Sequence, residues 1–272
     1  MHHNLFKMEY VGFIISIFIG ITLGVFGSGG SILAVPVLVY IFNIEPVLAT
    51  LYSLFIVGST SFIGSLNYFK NKLINFKIVL LFGIPSVIFV LISRKIVLPA
   101  IPERLFYIGH FLFSKNIAIM ILFATLMIIA SYCMIKKGIE NMIPNAQLEK
   151  PNYILLVAQG SFVGMLTGLI GAGGGFLIIP ALILLMKVNI KEAIGTSLVI
   201  ISLNSLIGFL SDAGQTEINW YFLFKFLFFS VLGIFIGMAL SRKINNDKLK
   251  PYFGYFILTM GIVIIIKELF LK

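Results

Sequence analysis

Gly24-Val25-Phe26-Gly27-Ser28-Gly29-Gly30-Ser31-Ile32-Leu33-Ala34-Val35-Pro36 decides the fold, because it lies inside an apolar run and is then said again. The second statement is Gly168-Leu169-Ile170-Gly171-Ala172-Gly173-Gly174-Gly175-Phe176-Leu177-Ile178-Ile179-Pro180, with equivalent positions 144 residues apart. Gly20 and Gly164 keep the same offset. A glycine run inside hydrocarbon-length sequence marks backbone that leaves the helical path at membrane depth, which is tolerated only where protein or a polar cavity surrounds it. Two such runs suggest one site built from two halves.

Working outward, the chain of 272 residues is 60% hydrophobic and only 11% charged, with a mean hydropathy of +1.09. These values exclude an ordinary soluble domain and indicate an all-α polytopic membrane protein. The net charge of +10 does not signal nucleic acid, because Lys and Arg are scattered through short connectors between apolar runs. The single cysteine, Cys133, cannot close an internal disulfide and carries no metal signal.

A helix needs roughly 20 apolar residues to cross the hydrocarbon core. Eight segments satisfy this: Val11–Phe42, Pro46–Phe69, Phe76–Ile96, Ile117–Ile135, Tyr153–Met186, Glu192–Leu210, Trp220–Leu240 and Pro251–Ile266. The first and fifth exceed 30 residues and hold the glycine runs, so they are expected as broken or re-entrant helices. The matching continues beyond the glycines, with Ala49 and Ala193, Ser53 and Ser197, Ser61 and Ser205, and Ile74-Asn75 and Ile218-Asn219 all in one register. A short slip then aligns Ser93-Arg94-Lys95-Ile96 with Ser241-Arg242-Lys243-Ile244. The expected organisation is a first membrane repeat over 8–135, a linker over 136–151 and a second repeat over 152–272, forming one integral membrane domain. Pro99 to Phe113 is expected as an interfacial helix carrying Arg104, Tyr107 and His110 on one stripe. Four crossings per repeat would make the halves parallel, whereas a hairpin and three crossings would invert them. The sequence leaves that parity open.

Chemistry is expected at the two runs. A helix restarting at Ile32 or Phe176 would expose free N–H groups and the positive end of its dipole, which suit an anion. The candidate substrate-binding residues are Gly27, Ser28, Gly29, Gly30, Ser31, Gly171, Ala172, Gly173, Gly174 and Gly175. Ser53, Asn67, Ser197 and Asn204, on the spans that follow, are the candidate supporting groups. The other Ser and Thr that crowd these spans, Ser61 and Ser205 among them, are expected to face the protein interior or a cavity, the competing reading for each being a hydroxyl that bonds back to its own helix carbonyl. Gly20, Gly24, Gly164 and Gly168, spaced by four, read as helix-packing positions.

The two runs together resemble the sulfite exporter TauE/SafE family, over nearly the whole chain. That resemblance implies a permease moving small anions, typically sulfite or organosulfonates, across the cytoplasmic membrane. It does not fix the substrate, and Ser31 departs from the all-glycine form seen at Gly175.

The absences also sort functions. No HExxH, no paired intramembrane carboxylates and no Ser-His pairing appear, so an enzyme is not expected. No cofactor or metal is expected either. With no Asp, Glu, His or Arg near the centre of a span, no buried cation is expected to clamp a substrate, and Asp212 and Glu217 read as solvated loop charges. Lys225 is expected to snorkel. The expected partners are a small anionic substrate and the lipid bilayer, with homo-oligomerisation compatible with both and nucleic acid excluded. The competing reading is a structural or assembly subunit whose glycines serve helix packing alone.

Overall fold

The computed structural model describes the chain apart from residues 1, 28–29, 109–110, 136–152, 172, 176, 180–181, 183–189, 215–216, 242–245 and 271–272. Its helices are α1 (His2–Phe26), α2 (Ser31–Tyr40), α3 (Pro46–Lys70), α4 (Phe76–Ala100), α5 (Lys115–Ile135), α6 (Tyr153–Ile170), α7 (Ile190–Asp212), α8 (Trp220–Ser241) and α9 (Asn246–Phe270). Six of these, α3 to α8, are long and apolar enough over their described residues to cross a membrane. The expected segment Pro251–Ile266 lies within α9, which is not among the six. The expected linker over 136–151 lies outside the described residues.

Local chemistry sets the helix ends. Pro46 opens α3, where its missing N–H costs nothing. Asn75 and Asn219 act alike at the starts of α4 and α8: their Oδ1 atoms accept from Ile78 N at 3.2 Å and Phe222 N at 3.1 Å. In α4 two turns widen to π geometry, at Val79–Gly83 and Ser93–Val97. Pro85 and Pro99 follow them, and a proline cannot donate to the carbonyl four residues back, so each loosens the turn before it.

One expectation is overturned outright. Residues 99–113 do not form an interfacial helix: Arg104–Ile108 (β1) and Phe111–Ser114 (β2) pair as an antiparallel hairpin. The run Leu105-Phe106-Tyr107-Ile108 is rich in aromatic and β-branched residues, which suit a pleated ribbon better than one helical stripe. Among the described residues the fold is therefore helical with one short β-hairpin, and His110 lies outside them.

The first glycine-bearing segment is broken, as its length and composition predict. After α1 the backbone turns at Gly27, and Gly30 packs so closely on Ile19 and Leu23 that a Cβ there would strike the Ile19 carbonyl. Helix α2 then runs back along α1, bringing the Phe42 ring to 6.0 Å from Phe13 and against Gly12. Contacts at the two ends of the bundle give the directions of α3 to α8. At one end, here the first, Asn116 meets Glu45, Arg94 meets Asp212, and Tyr52 meets Asn219. At the second end, Asn75 meets Glu192 and Lys77 meets Tyr153. Helices α3, α4 and α5 each run from end to end, and α1 with α2 enters and leaves at the first end.

Packing pairs α1 with α8, α4 with α6, α3 with α7, and α5 with α9 most extensively. Small residues make this possible. A Cβ on Gly20 would strike the Ser230 carbonyl, and one on Gly164 the Ser86 carbonyl; likewise Gly24 meets Ile234 and Gly237 while Gly168 meets Val90 and Ser93. These contacts hold the 144-residue register as far as Ser93 and Gly237, so the slip that aligns Ser93-Arg94 with Ser241-Arg242 is not what packing uses. Arg242 and Lys243 lie outside the described residues.

Candidate functional site

The site is built where the glycine turns meet α3 and α7. Gly27 and Gly171 occupy the left-handed region at φ +69° and +71°, and Gly173 and Gly174 do so at +65° and +73°. An L side chain is strained there, which accounts for glycine at these positions. Space excludes a side chain as well. A Cβ on Gly27 would run into Ile194 in the first turns of α7, and one on Gly171 into Thr50 in the first turns of α3. The two turns therefore sit towards opposite ends of the bundle. Gly173 reaches further in, to the Ser205 hydroxyl, Ile201 and Val57 in the middle of α7 and α3.

The expected supporting residues divide. Ser197 comes to the first turn, with its Oγ 3.5 Å from the Gly27 carbonyl and donating to Ile194 O at 2.9 Å. Ser53 is fully buried and its hydroxyl makes no hydrogen bond within the described protein. Asn204 turns away from the glycines and donates to Ser86 Oγ on α4 at 2.7 Å, with its Oδ1 left unpartnered. Asn67 lies near the end of α3, 3.6 Å from Met238 Sδ. Gly30 caps the start of α2, Ser31 opens that helix fully buried, and Gly175 is buried at the start of the return after the second turn. Ser28, Gly29 and Ala172 lie outside the described residues.

Ser61 and Ser205 belong to the hydroxyl-rich faces of α3 and α7, and the repeat register pairs them. Both are fully buried and neither hydroxyl has a hydrogen-bond partner within the described protein. Such groups are costly in an apolar interior and call for an explanation. Many neighbours, by contrast, satisfy themselves: Thr50 bonds Val47 O at 2.7 Å and Ser65 bonds Phe62 O at 2.7 Å.

A cavity opens at each end. The first, about 530 Å³, is lined by Arg94, Asp212 and Val47 among others; the second, about 410 Å³, by Met238, Tyr68 and Lys191 among others. Those three residues correspond pairwise at the 144-residue offset. Ile194 links the second cavity to Gly27, and Arg94 links the first to Gly168 and Thr50 beside Gly171.

Arg94 corrects the expectation that no cation is buried. It is 2% exposed, its Nε donates to Asp212 Oδ2 at 2.6 Å and its Nη1 to the Gly168 carbonyl at 3.0 Å. Asp212 is thus an ion-pair partner and not a solvated loop charge. The one sequence signal was that Arg94 falls inside a 25-residue apolar span. Lys225 lies 4.6 Å from the centre of the Phe13 ring, so its ammonium rests on an aromatic face.

The profile of the sulfite exporter TauE/SafE family matches residues 12–264. The chain belongs to that family. It is similar to the probable membrane transporter protein YunE of Bacillus subtilis, 27% identical over 96% of this chain and 100% of the relative. It is similar too to probable membrane transporter proteins of Xylella fastidiosa, at 27% identity over 91% of both chains, and of Methanocaldococcus jannaschii, at 27% over 94% of this chain and 93% of the relative. No solved structure matches the chain. Membership and six apolar helices make this TauE/SafE protein a multi-pass membrane transporter.

Proposed function

We propose that this TauE/SafE chain is a permease of the cytoplasmic membrane for a small sulfur oxyanion or organosulfonate such as sulfite. The anion is held by the Gly27–Ser31 and Gly171–Gly175 turns and by hydroxyls of α3 and α7. The observation that carries this reading is the pair Ser61 and Ser205, buried, lacking protein partners, and 144 positions apart, with Ser205 against the Gly173 turn. Unpartnered buried hydroxyls, one of them beside a left-handed glycine, are groups waiting for an acceptor, and an oxyanion supplies several. Helix α2 starts at the first turn, so its positive dipole end adds to the attraction.

In the same reading the chain is two inverted repeats, each a re-entrant hairpin followed by three spans. The doubling back of α2 on α1 supports three crossings per repeat, and an odd number inverts the second copy. The paired cavities, one at each end, are then the two vestibules of an alternating-access cycle. Packing alone accounts for Gly20, Gly24, Gly164 and Gly168, but a structural subunit would need no left-handed glycine turns facing unpartnered hydroxyls.

Flux of sulfite, thiosulfate and small sulfonates into proteoliposomes tests the reading, with sodium and pH gradients imposed independently. Saturable flux of one of them, lost when Gly173 or Gly174 is made Leu in protein that still folds, is the expected result. Absence of flux for every sulfur anion would overturn it.

A further inference from the structure

The two cavities are lined by different charges: Glu45, Glu103 and Asp212 with Arg94, Arg104 and Lys115 at the first, Lys191 at the second. Where the second has the thioether of Met238, the first has the guanidinium of Arg94. A buried guanidinium is expensive unless its donors are used, and here they are used incompletely. Of its five N–H groups, Nε serves Asp212 at 2.6 Å, one on Nη1 serves the Gly168 carbonyl at 3.0 Å, and one on Nη2 reaches Thr50 Oγ1 at a long 3.4 Å. The remaining two, one on each Nη, have no acceptor among the described residues. Asp212 engages end-on through Oδ2 alone, while its Oδ1 accepts from Ser211. The fork that suits a planar or tetrahedral oxyanion is therefore left open.

Its surroundings give this open fork a direction. Arg94 and Asp212 both line the first cavity, with side chains 1% and 21% exposed, so the carboxylate is the more accessible partner. Arg94 lies in the π-widened turn Ser93–Val97 of α4, and its guanidinium meets α3, α6 and α7. Through Thr50 and Gly168 it touches both neighbours of the Gly171 turn.

We infer that Arg94 is an anion-docking residue of the first vestibule, binding an incoming oxyanion through its Nη groups before the anion reaches the Gly171 turn, with Asp212 balancing its charge when the vestibule is empty. The second vestibule has Met238 at the matching position and Lys191 as its lining cation, so among the described residues it has no guanidinium fork to take this step. The inference rests on the proposed anion transport, and it makes the two faces of the carrier unequal. No covalent change is involved: the anion exchanges hydration for guanidinium hydrogen bonds.

The test uses the full chain in proteoliposomes of known orientation, with sulfite supplied from one side at a time. Arg94→Met with Asp212→Asn removes the pair without stranding a charge and places at 94 the side chain found at 238; Arg94→Lys keeps the charge and loses the fork. The half-saturating sulfite concentration from the first face is expected to rise about tenfold in the double variant and less in Arg94→Lys, with the value from the second face changed less than about twofold. Equal changes from both faces, or none, would overturn the inference in favour of a structural strut. Thermal stabilisation of the detergent-solubilised protein by sulfite, sulfate and thiosulfate is read in parallel. Anion stabilisation that requires Arg94, in protein with no flux, would sustain the docking residue and sink the transport reading; anion stabilisation unaffected by the double variant would sink the docking residue.

Discussion

Thr60 on α3 lies 3.1 Å, Oγ1 to Oγ, from Ser230 on α8, joining two buried hydroxyls across a helix interface. The same contact recurs 144 positions along each partner as Asn204 Nδ2 donating to Ser86 Oγ at 2.7 Å. Each tie joins the span that follows a glycine turn to the helix that packs on the helix leading into that same turn. Asn204 therefore reads as a clamp between α7 and α4, although it was a reasonable binding candidate from composition.

Asn204→Ala should lower stability by about 1 kcal/mol, within the range of interhelical hydrogen bonds in membranes. Ser86→Ala should cost more than its size suggests, because it strands a buried amide. Thermal unfolding in detergent measures both. The double variant Asn204→Leu with Ser86→Ala should recover much of the loss, and a cycle without coupling would show that the contact contributes nothing.

Ser205→Ala and Ser61→Ala break no hydrogen bond within the described protein, so neither should lower the melting temperature, and a small rise is expected. If their hydroxyls serve the anion, the half-saturating concentration of the transported species should rise several-fold in each. A marked loss of stability would mean that these hydroxyls are held by the protein itself.

Gly171→Ala places a side chain at φ +71° and into Thr50, so strain and collision act together. The expected cost is about 1–3 kcal/mol for the backbone conformation alone. Pairing it with Thr50→Gly should relieve only the contact with the Thr50 side chain, because the Cα and carbonyl oxygen of residue 50 would still lie 2.6 Å from the new Cβ. Unfolding curves of the two proteins measure the side-chain part, and equal stability of both variants would show that strain and backbone collision dominate.

Lys72 and Glu217 sit in corresponding connectors, after α3 and after α7, and parallel repeats would put them on one side of the membrane. The proposed inversion puts them on opposite sides. It also gathers the connectors Lys70–Lys77, Lys136–Lys150, Lys187–Lys191 and Arg242–Lys250, which hold 12 of the 20 Lys and Arg, on one face, and by the charge rule that face is expected to be cytoplasmic. In a Cys133→Ala background, an impermeant thiol reagent applied to whole cells should label Glu217→Cys and spare Lys72→Cys until the cells are opened. Labelling of both from outside would refute the inversion.

Much of the fold was legible because its signals are local. Hydrocarbon-length apolar runs give α3 to α8, and Asn75 and Asn219, matched in the repeat, are of a residue type that caps helix starts. The same is true of Gly20 and Gly164, whose spacing by four from Gly24 and Gly168 states the packing face. The 99–113 stretch misled because a three-residue polar period is weak beside aromatic and β-branched content. Arg94 was passed over because burial depends on what α3, α6 and α7 bring around it, and nothing adjacent in sequence records that.

By itself the sequence determined that this is a helical membrane protein, that its backbone breaks after Phe26 and near Gly171, and that its motif occurs twice in one register. Each follows from the number of apolar residues, from the φ freedom of glycine, or from identity at a fixed offset. Only the tertiary structure decided how the first break is used. A glycine run permits a kink, a continued span or a reversal at similar backbone cost; the contacts of Gly30 with Ile19 and of Phe42 with Phe13 select the reversal. The reversal sends the twice-written motif towards opposite ends and leaves a buried arginine at one of them.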